Sequence, residues 1–342
     1  MANEILKKIK SSMGNNPSQQ SIRWPSKIET TYESNDGTVR CLFKLSSQTV
    51  ISNMQSNESA FEGWATVVKA WIDTDKNLSI ELAWEAPDEK VLDDDQISYG
   101  HYQRFLYRAI RFSNKVDWFK VAKSSKKHLD KSDVLYPDGS PKDGPFLINQ
   151  MSKRDSLEFS EVPTPAKLKD LSESAVEKLF ISHPDKLLET VFGPGKGKID
   201  RQFPVGIFKG KVTGKKGNDS GHQIFSGKKS AIDLWAVSDS TISLFELKKP
   251  TGNKSVGSLS ELIFYANIVG DCANGTFQSD YIFFNASEIK RIKAFLLLGQ
   301  NNIHPLLANP KIYDDLNFHF KERNIEFGVI EYDGQMSCEV KY

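Results

Sequence analysis

Cysteine is scarce in this chain. Cys41, Cys272 and Cys338 are scattered through 342 residues. An odd number at no repeated spacing excludes a disulfide framework and leads us to expect a reducing, cytoplasmic setting. No run of about 18 apolar residues occurs, so no membrane span is expected. The opening stretch, MANEILKKIKSSMGNN, has no apolar signal core. The six histidines do not fall at zinc-site spacing. Glycine-rich stretches such as GPGKGK lack the GK[ST] of a phosphate-binding loop. Net charge is nearly absent, at +1, and there are no internal repeats.

What is present fits an ordinary globular protein, with 26% charged and 39% hydrophobic residues. The length suggests two domains. Proline and glycine crowd YPDGSPKDGP at 136–145 and EVPTP at 161–165, which places a linker at 138–165. An N-terminal α+β domain is then expected over 1–137 and a second domain over 166–342. In the first, strands are expected at 38–45, 77–86 and 118–121, and helices at 58–72 and 97–112. The second of these helices carries Arg104, Arg108 and Arg111 at helical spacing, read as a solvated face, with DNA phosphate as the alternative. No catalytic constellation appears in this half. A recognition, regulatory or oligomerising role follows from its position alone.

The most informative stretch is AIDLWAVSDSTISLFELKKP at 231–250. Two apolar runs flank a Ser-Asp-Ser-Thr turn, which reads as a β-hairpin. With Asp239 and Ser240 as a two-residue loop, Asp233 lies opposite Glu246. Glu246 and Lys248 then share one face, while Phe245 and Leu247 take the other. Two carboxylates and an ammonium therefore gather within an apolar environment. Like charges at that separation repel unless a cation lies between them, and a hard divalent ion such as Mg²⁺ resolves the conflict. The bland alternative is a solvated acid–lysine pair, which an apolar, covered strand disfavours.

An Asp on one strand followed by Glu-Leu-Lys on the next resembles the core motif of the PD-(D/E)XK nuclease superfamily. Ile232 stands where many members have proline. The family's leading helix, which carries a glutamate, matches 172–191, expected to break near Pro184. Glu177 is the better match and Glu173, one turn earlier, the rival. The helix after the hairpin, 258–269, offers Glu261 and Tyr265 at the spacing of the family's Gln-x-x-x-Tyr. Glu261 departs from that pattern, and helix packing is the preferred reading of the pair. The resemblance covers about half the chain, from near residue 164. It implies a restriction-endonuclease-like α/β core, a mixed central sheet flanked by helices. It also implies Mg²⁺, with Mn²⁺ as substitute, bound by Asp233, Glu246 and the Leu247 carbonyl. Lys248 would orient or deprotonate water or stabilise transition-state charge, and Glu177 would support the metal. Around 246–250 the chain is similar to restriction and phage-defence enzymes, including Shedu-type nucleases.

The segment 196–230 carries nine lysines and arginines against two acids, Asp200 and Asp219. Its Lys209, Lys211, Lys215, Lys216, Lys228 and Lys229 are candidate phosphate contacts. A solubilising loop is the alternative. DNA is the expected partner, the sequence does not separate DNA from RNA, and double-strand cutting would call for a homo-oligomer. The competing functions are a nuclease fold that binds without cutting and a regulatory protein with a structural charge cluster. The expected second domain has strands at 202–208, 223–225, 230–237, 241–248, 281–284 and 325–332, and helices at 172–191, 258–269 and 287–298.

Overall fold

Alternating burial along Thr38–Leu45 (β2) and Asn77–Trp84 (β3) gives each strand one core-facing side. The two pair in parallel within a four-stranded sheet, with Ile28–Asn35 (β1) on one edge and Phe119–Val121 (β4) on the other. The computed structural model describes residues 4–14, 20–35, 38–54, 56–72, 77–148, 170–210, 223–225, 231–251, 255–278 and 286–342. Helices Glu4–Ser12 (α1), Ser47–Val50 (α2), Phe61–Ile72 (α3), Glu89–Asp94 (α4), Gln96–Lys115 (α5) and Lys123–Lys126 (α6) complete this half. Asp95 caps α5 by accepting from the N–H groups of Ile97 and Ser98.

The later half is built on a six-stranded mixed sheet. Its strands are Lys198–Pro204 (β6), Ala231–Ser238 (β8), Thr241–Lys248 (β9), Arg291–Gly299 (β10), Ile325–Tyr332 (β11) and Cys338–Val340 (β12). The spatial order is β12–β11–β10–β9–β8–β6, with β9, β10 and β11 mutually parallel and the remaining pairs antiparallel. Phe146–Ile148 (β5) pairs separately with Ile207–Lys209 (β7). Glu173–Ser182 (α7) and Asp185–Phe192 (α8) cover one face of the large sheet, packing on Leu234, Phe245, Leu247 and Leu297. Gly257–Ala273 (α9) and Lys311–Phe320 (α10) cover the other, with Ile242, Leu244 and Leu296. The chain is thus mixed α/β, with a mixed sheet between helical layers.

The expected helix at 287–298 is strand β10. Its neighbours are β9 and β11, and it buries Ala294, Leu296 and Leu298 on one side and Phe295 and Leu297 on the other. A central parallel strand is apolar on both faces, and a short continuous run carries no period that separates strand from helix. The expected strand at 202–208 is divided between β6 and β7. Residues 223–225 supply only the bridge between Phe208 and Gln223. The expected strand at 281–284 lies outside the described residues. So does 149–165 of the expected linker, while β5 falls in its described part.

The arginine stripe of α5 is neither a solvated nor a phosphate-facing surface. Arg104, Arg108 and Arg111 are 2%, 4% and 8% exposed. Arg108 donates to Glu62 Oε1 at 2.7 Å and to the Ser59 carbonyl at 2.9 Å. Arg111 donates to Asp271 Oδ2 at 2.9 Å, and Arg323 also pairs with that fully buried carboxylate. One apolar core runs through both halves, joining Phe61 and Phe105 to Leu259 and Phe264. Every residue of α9 from Gly257 to Cys272 is buried, because the first half covers the side that faces away from the sheet. At the α3–α9 crossing the Gly63 N–H donates to Ser260 Oγ at 2.9 Å, and a Cβ there would lie 2.7 Å from the Val256 carbonyl oxygen.

Candidate active site

The hairpin forms in the expected register, from Ser238 opposite Thr241 to Leu234 opposite Phe245. Asp239 takes φ 50°, which suits a two-residue turn. The ladder then stops one step before Asp233 and Glu246. On the other side of β8 it is interrupted at the same place, passing from Arg201–Leu234 to Phe203–Ile232 and omitting Gln202 and Asp233. Gln202 has φ 57°, an uncommon backbone state for a residue with a side chain. Ile232 packs on the α9 side, yet Leu234 and Ala236, of the same parity, pack on the α7 side. The strand therefore rotates at Asp233. Instead of making a ladder pair, the Asp233 carboxylate accepts the backbone N–H of Leu247 at 2.9 Å.

Lys248 follows on β9 and donates to Glu246 Oε1. Its Nζ is also 3.7 Å from Glu173 Oε1 and 4.0 Å from Glu261 Oε2. Two further contacts fix the end of β9. Tyr332 Oη donates to the Lys248 carbonyl at 3.0 Å, and Asn302 Nδ2 donates to the Lys249 carbonyl at 2.8 Å. Pro250 closes against Gly299, where a Cβ would meet its Cα at 2.5 Å, so this crossing requires glycine.

The site is crowded with acids. Burial and then the neighbouring Glu246 push the Asp233 carboxyl well above the usual carboxylate range, with Lys248 partly offsetting them. Glu173 is raised by burial, again against the pull of Lys248. Burial opposes the Lys248 charge, but Glu246, Glu261, Asp233 and Glu173 outweigh it and raise its pKa. Lys248 is therefore an ammonium at neutral pH.

The two candidate carboxylates of α7 are placed differently. Glu173 reaches Lys248. Glu177, buried one turn on, accepts from Gln202 Nε2 at 3.1 and 3.2 Å and lies 3.8 Å from Arg201. It remains among the charges that act on Asp233. Glu261 and Tyr265, read as helix packing, face the same cluster. Burial and then Glu261, Glu246 and Asp233 hold the Tyr265 hydroxyl well above its ordinary pKa. Lys209 is exposed on β7, while Lys211, Lys215, Lys216, Lys228 and Lys229 lie outside the described residues. Gln202 and Arg201 were not foreseen, and only the positive φ of Gln202, invisible in sequence, marks the place.

Asp233 and Glu246 offer hard oxygen donors, the type that Mg²⁺ takes. The Leu247 carbonyl is the third oxygen that the nuclease resemblance assigns. Mg²⁺ is commonly held by one or two carboxylates, with waters completing its shell. Among the described residues no group of three or more acids, histidines or cysteines is gathered closely enough to hold a metal ion. No described helix is long and apolar enough to cross a membrane. Comparison with protein-family models, curated proteins and solved structures found no match.

Proposed function

We propose that this chain is a metal-dependent nuclease that hydrolyses phosphodiester bonds of DNA, on a restriction-endonuclease-like core. The observation that carries this reading is the convergence at the end of the hairpin. Asp233 is tied to the N–H of Leu247, and the residues on either side of Leu247 are Glu246 and Lys248, in contact with each other. Asp233 and Glu246 would hold Mg²⁺, with Mn²⁺ as substitute. When bound, the ion polarises phosphate and makes its bound water more acidic. Lys248, kept charged by the surrounding acids, offers hydrogen bonds to negative charge that develops on phosphate. Glu173 helps to position that ammonium. Glu177, held by Gln202 and Arg201, adds negative potential behind Asp233. The basic segment before β8 suits a phosphate backbone. A role in defence against foreign DNA rests on the likeness of residues 246–250 to such enzymes, and double-strand cutting would call for two copies of the site.

A second reading is a nuclease fold that binds nucleic acid without cutting it. It draws on Lys248 being held by Glu246 and on there being, among the described residues, no group of three or more acids, histidines or cysteines placed to hold a metal ion. Incubation with circular, linear and single-stranded DNA, in Mg²⁺, Mn²⁺ or chelator, separates the two. The nuclease cuts only with metal, and Lys248→Ala slows it about 10²–10³-fold. Cutting that persists unchanged in both Glu246→Ala and Lys248→Ala contradicts the site. DNA binding by the native protein without cleavage supports the second reading.

A further inference from the structure

A buried arginine of the first half lies against α9, the helix that carries Glu261. Arg104, on α5, is 2% exposed, and its guanidinium carbon lies 5.8 Å from the centre of the Phe264 ring on α9. The neighbouring α5 arginines are committed elsewhere, Arg108 to Glu62 and Arg111 to Asp271. On α9, Glu261 and Tyr265 bracket Phe264 in the same turns, each 2% exposed, and Glu261 lies within 4.0 Å of Lys248. We propose that Arg104 is a positioning residue of the candidate active site, sharing the Glu261 carboxylate with Lys248 so that Lys248 stays on Glu246. The proposal rests on the nuclease reading of that site.

The physical reason is charge balance in a dry interior. Burial lowers the Arg104 pKa to about 10, while Tyr265 and Glu261 act to keep it charged. Glu261 acts on both cations, Arg104 and Lys248, and Lys248 in turn donates to Glu246. Without Arg104, the pull of Glu261 on Lys248 is no longer shared, and Lys248 is drawn away from Glu246. A glutamine at 261 carries no charge and makes no such demand.

The test uses full-length Arg104→Met, Glu261→Gln, the double variant and Arg104→Lys. In Mg²⁺-dependent DNA cleavage, Arg104→Met is expected to lower kcat about tenfold or more, the size of a buried charge coupling. KM and the salt dependence of DNA binding stay unchanged, since Arg104 does not reach solvent. Adding Glu261→Gln to Arg104→Met restores kcat to near that of Glu261→Gln alone, and Arg104→Lys retains most of it. Failure of that rescue in a folded double variant overturns the proposal. So does a loss that appears in KM and in the salt slope. If the native protein cuts no DNA, the nuclease reading fails, and the charge sharing is still read by urea unfolding. There Glu261→Gln should recover most of the shift in folding equilibrium that Arg104→Met causes, and strictly additive effects would refute the coupling.

Discussion

Leu247 gives its backbone N–H to the Asp233 carboxylate at 2.9 Å, where an ordinary hairpin would give it to a backbone carbonyl. This bond turns Asp233 out of both ladders and places its charge beside Glu246. A buried carboxylate next to a second one is destabilising until a cation joins them.

Asp233→Asn keeps an oxygen for the Leu247 N–H and removes one of the two facing charges. The metal-free variant is expected to melt above the native protein, by an amount on the order of 1 kcal/mol. Mg²⁺ should raise the melting temperature of the native protein and leave the variant unmoved. Thermal unfolding with and without metal checks both. A variant that melts lower and still responds to Mg²⁺ would refute the charge argument.

The Glu62–Arg108 pair is 1% and 4% exposed. Arg108→Met leaves a buried carboxylate unpaired and should cost about 3–5 kcal/mol. Glu62→Leu combined with Arg108→Met should recover most of that loss, because well-packed apolar replacements of buried ion pairs are often neutral or better. Urea unfolding of the single and double variants measures it.

Residues 170–342 produced alone should not fold to a native state. Their α9 would lose the helices that cover it, and Asp271 would lose Arg111 and the Tyr107 hydroxyl. Dye binding and near-ultraviolet circular dichroism should report a loosely packed chain. A sharp cooperative melt from this fragment would contradict the shared core.

His101, half-buried on α5, is held down to about 4 by burial and then by the Arg104 charge, against an ordinary 6.5. A base depressed in the folded state contributes stability above its unfolded pKa and loses that contribution as pH falls toward the folded value. The native protein should therefore lose stability between pH 6.5 and about 4, and His101→Gln should flatten that limb. Melting temperatures of the two proteins across this range test it, and parallel profiles would count against His101 as a source.

The sequence carried the hairpin plainly, since two β-rich runs flank a Ser-Asp-Ser-Thr turn, and a two-residue loop at Asp239–Ser240 sets the neighbours of Glu246. The break near Pro184 was equally legible from a residue that cannot continue a helix. β10 was not, because AFLLLG is apolar at every position and its strand state comes from β9 and β11 on either side. The arginines of α5 misled for a related reason. Helical spacing shows that three charges share a face, but the acids that Arg108 and Arg111 meet, Glu62 and Asp271, come from distant parts of the chain. The rotation of β8 at Asp233 and the role of Gln202 depend on backbone geometry that no local pattern encodes.

The most direct test is anomalous diffraction at the manganese edge from crystals soaked in Mn²⁺. One strong peak bonded to carboxylate oxygens of both Asp233 and Glu246, absent in Asp233→Asn crystals, is the expected result. A well-ordered hairpin end with no peak, or a peak bound to neither residue, would contradict the proposed cation pocket.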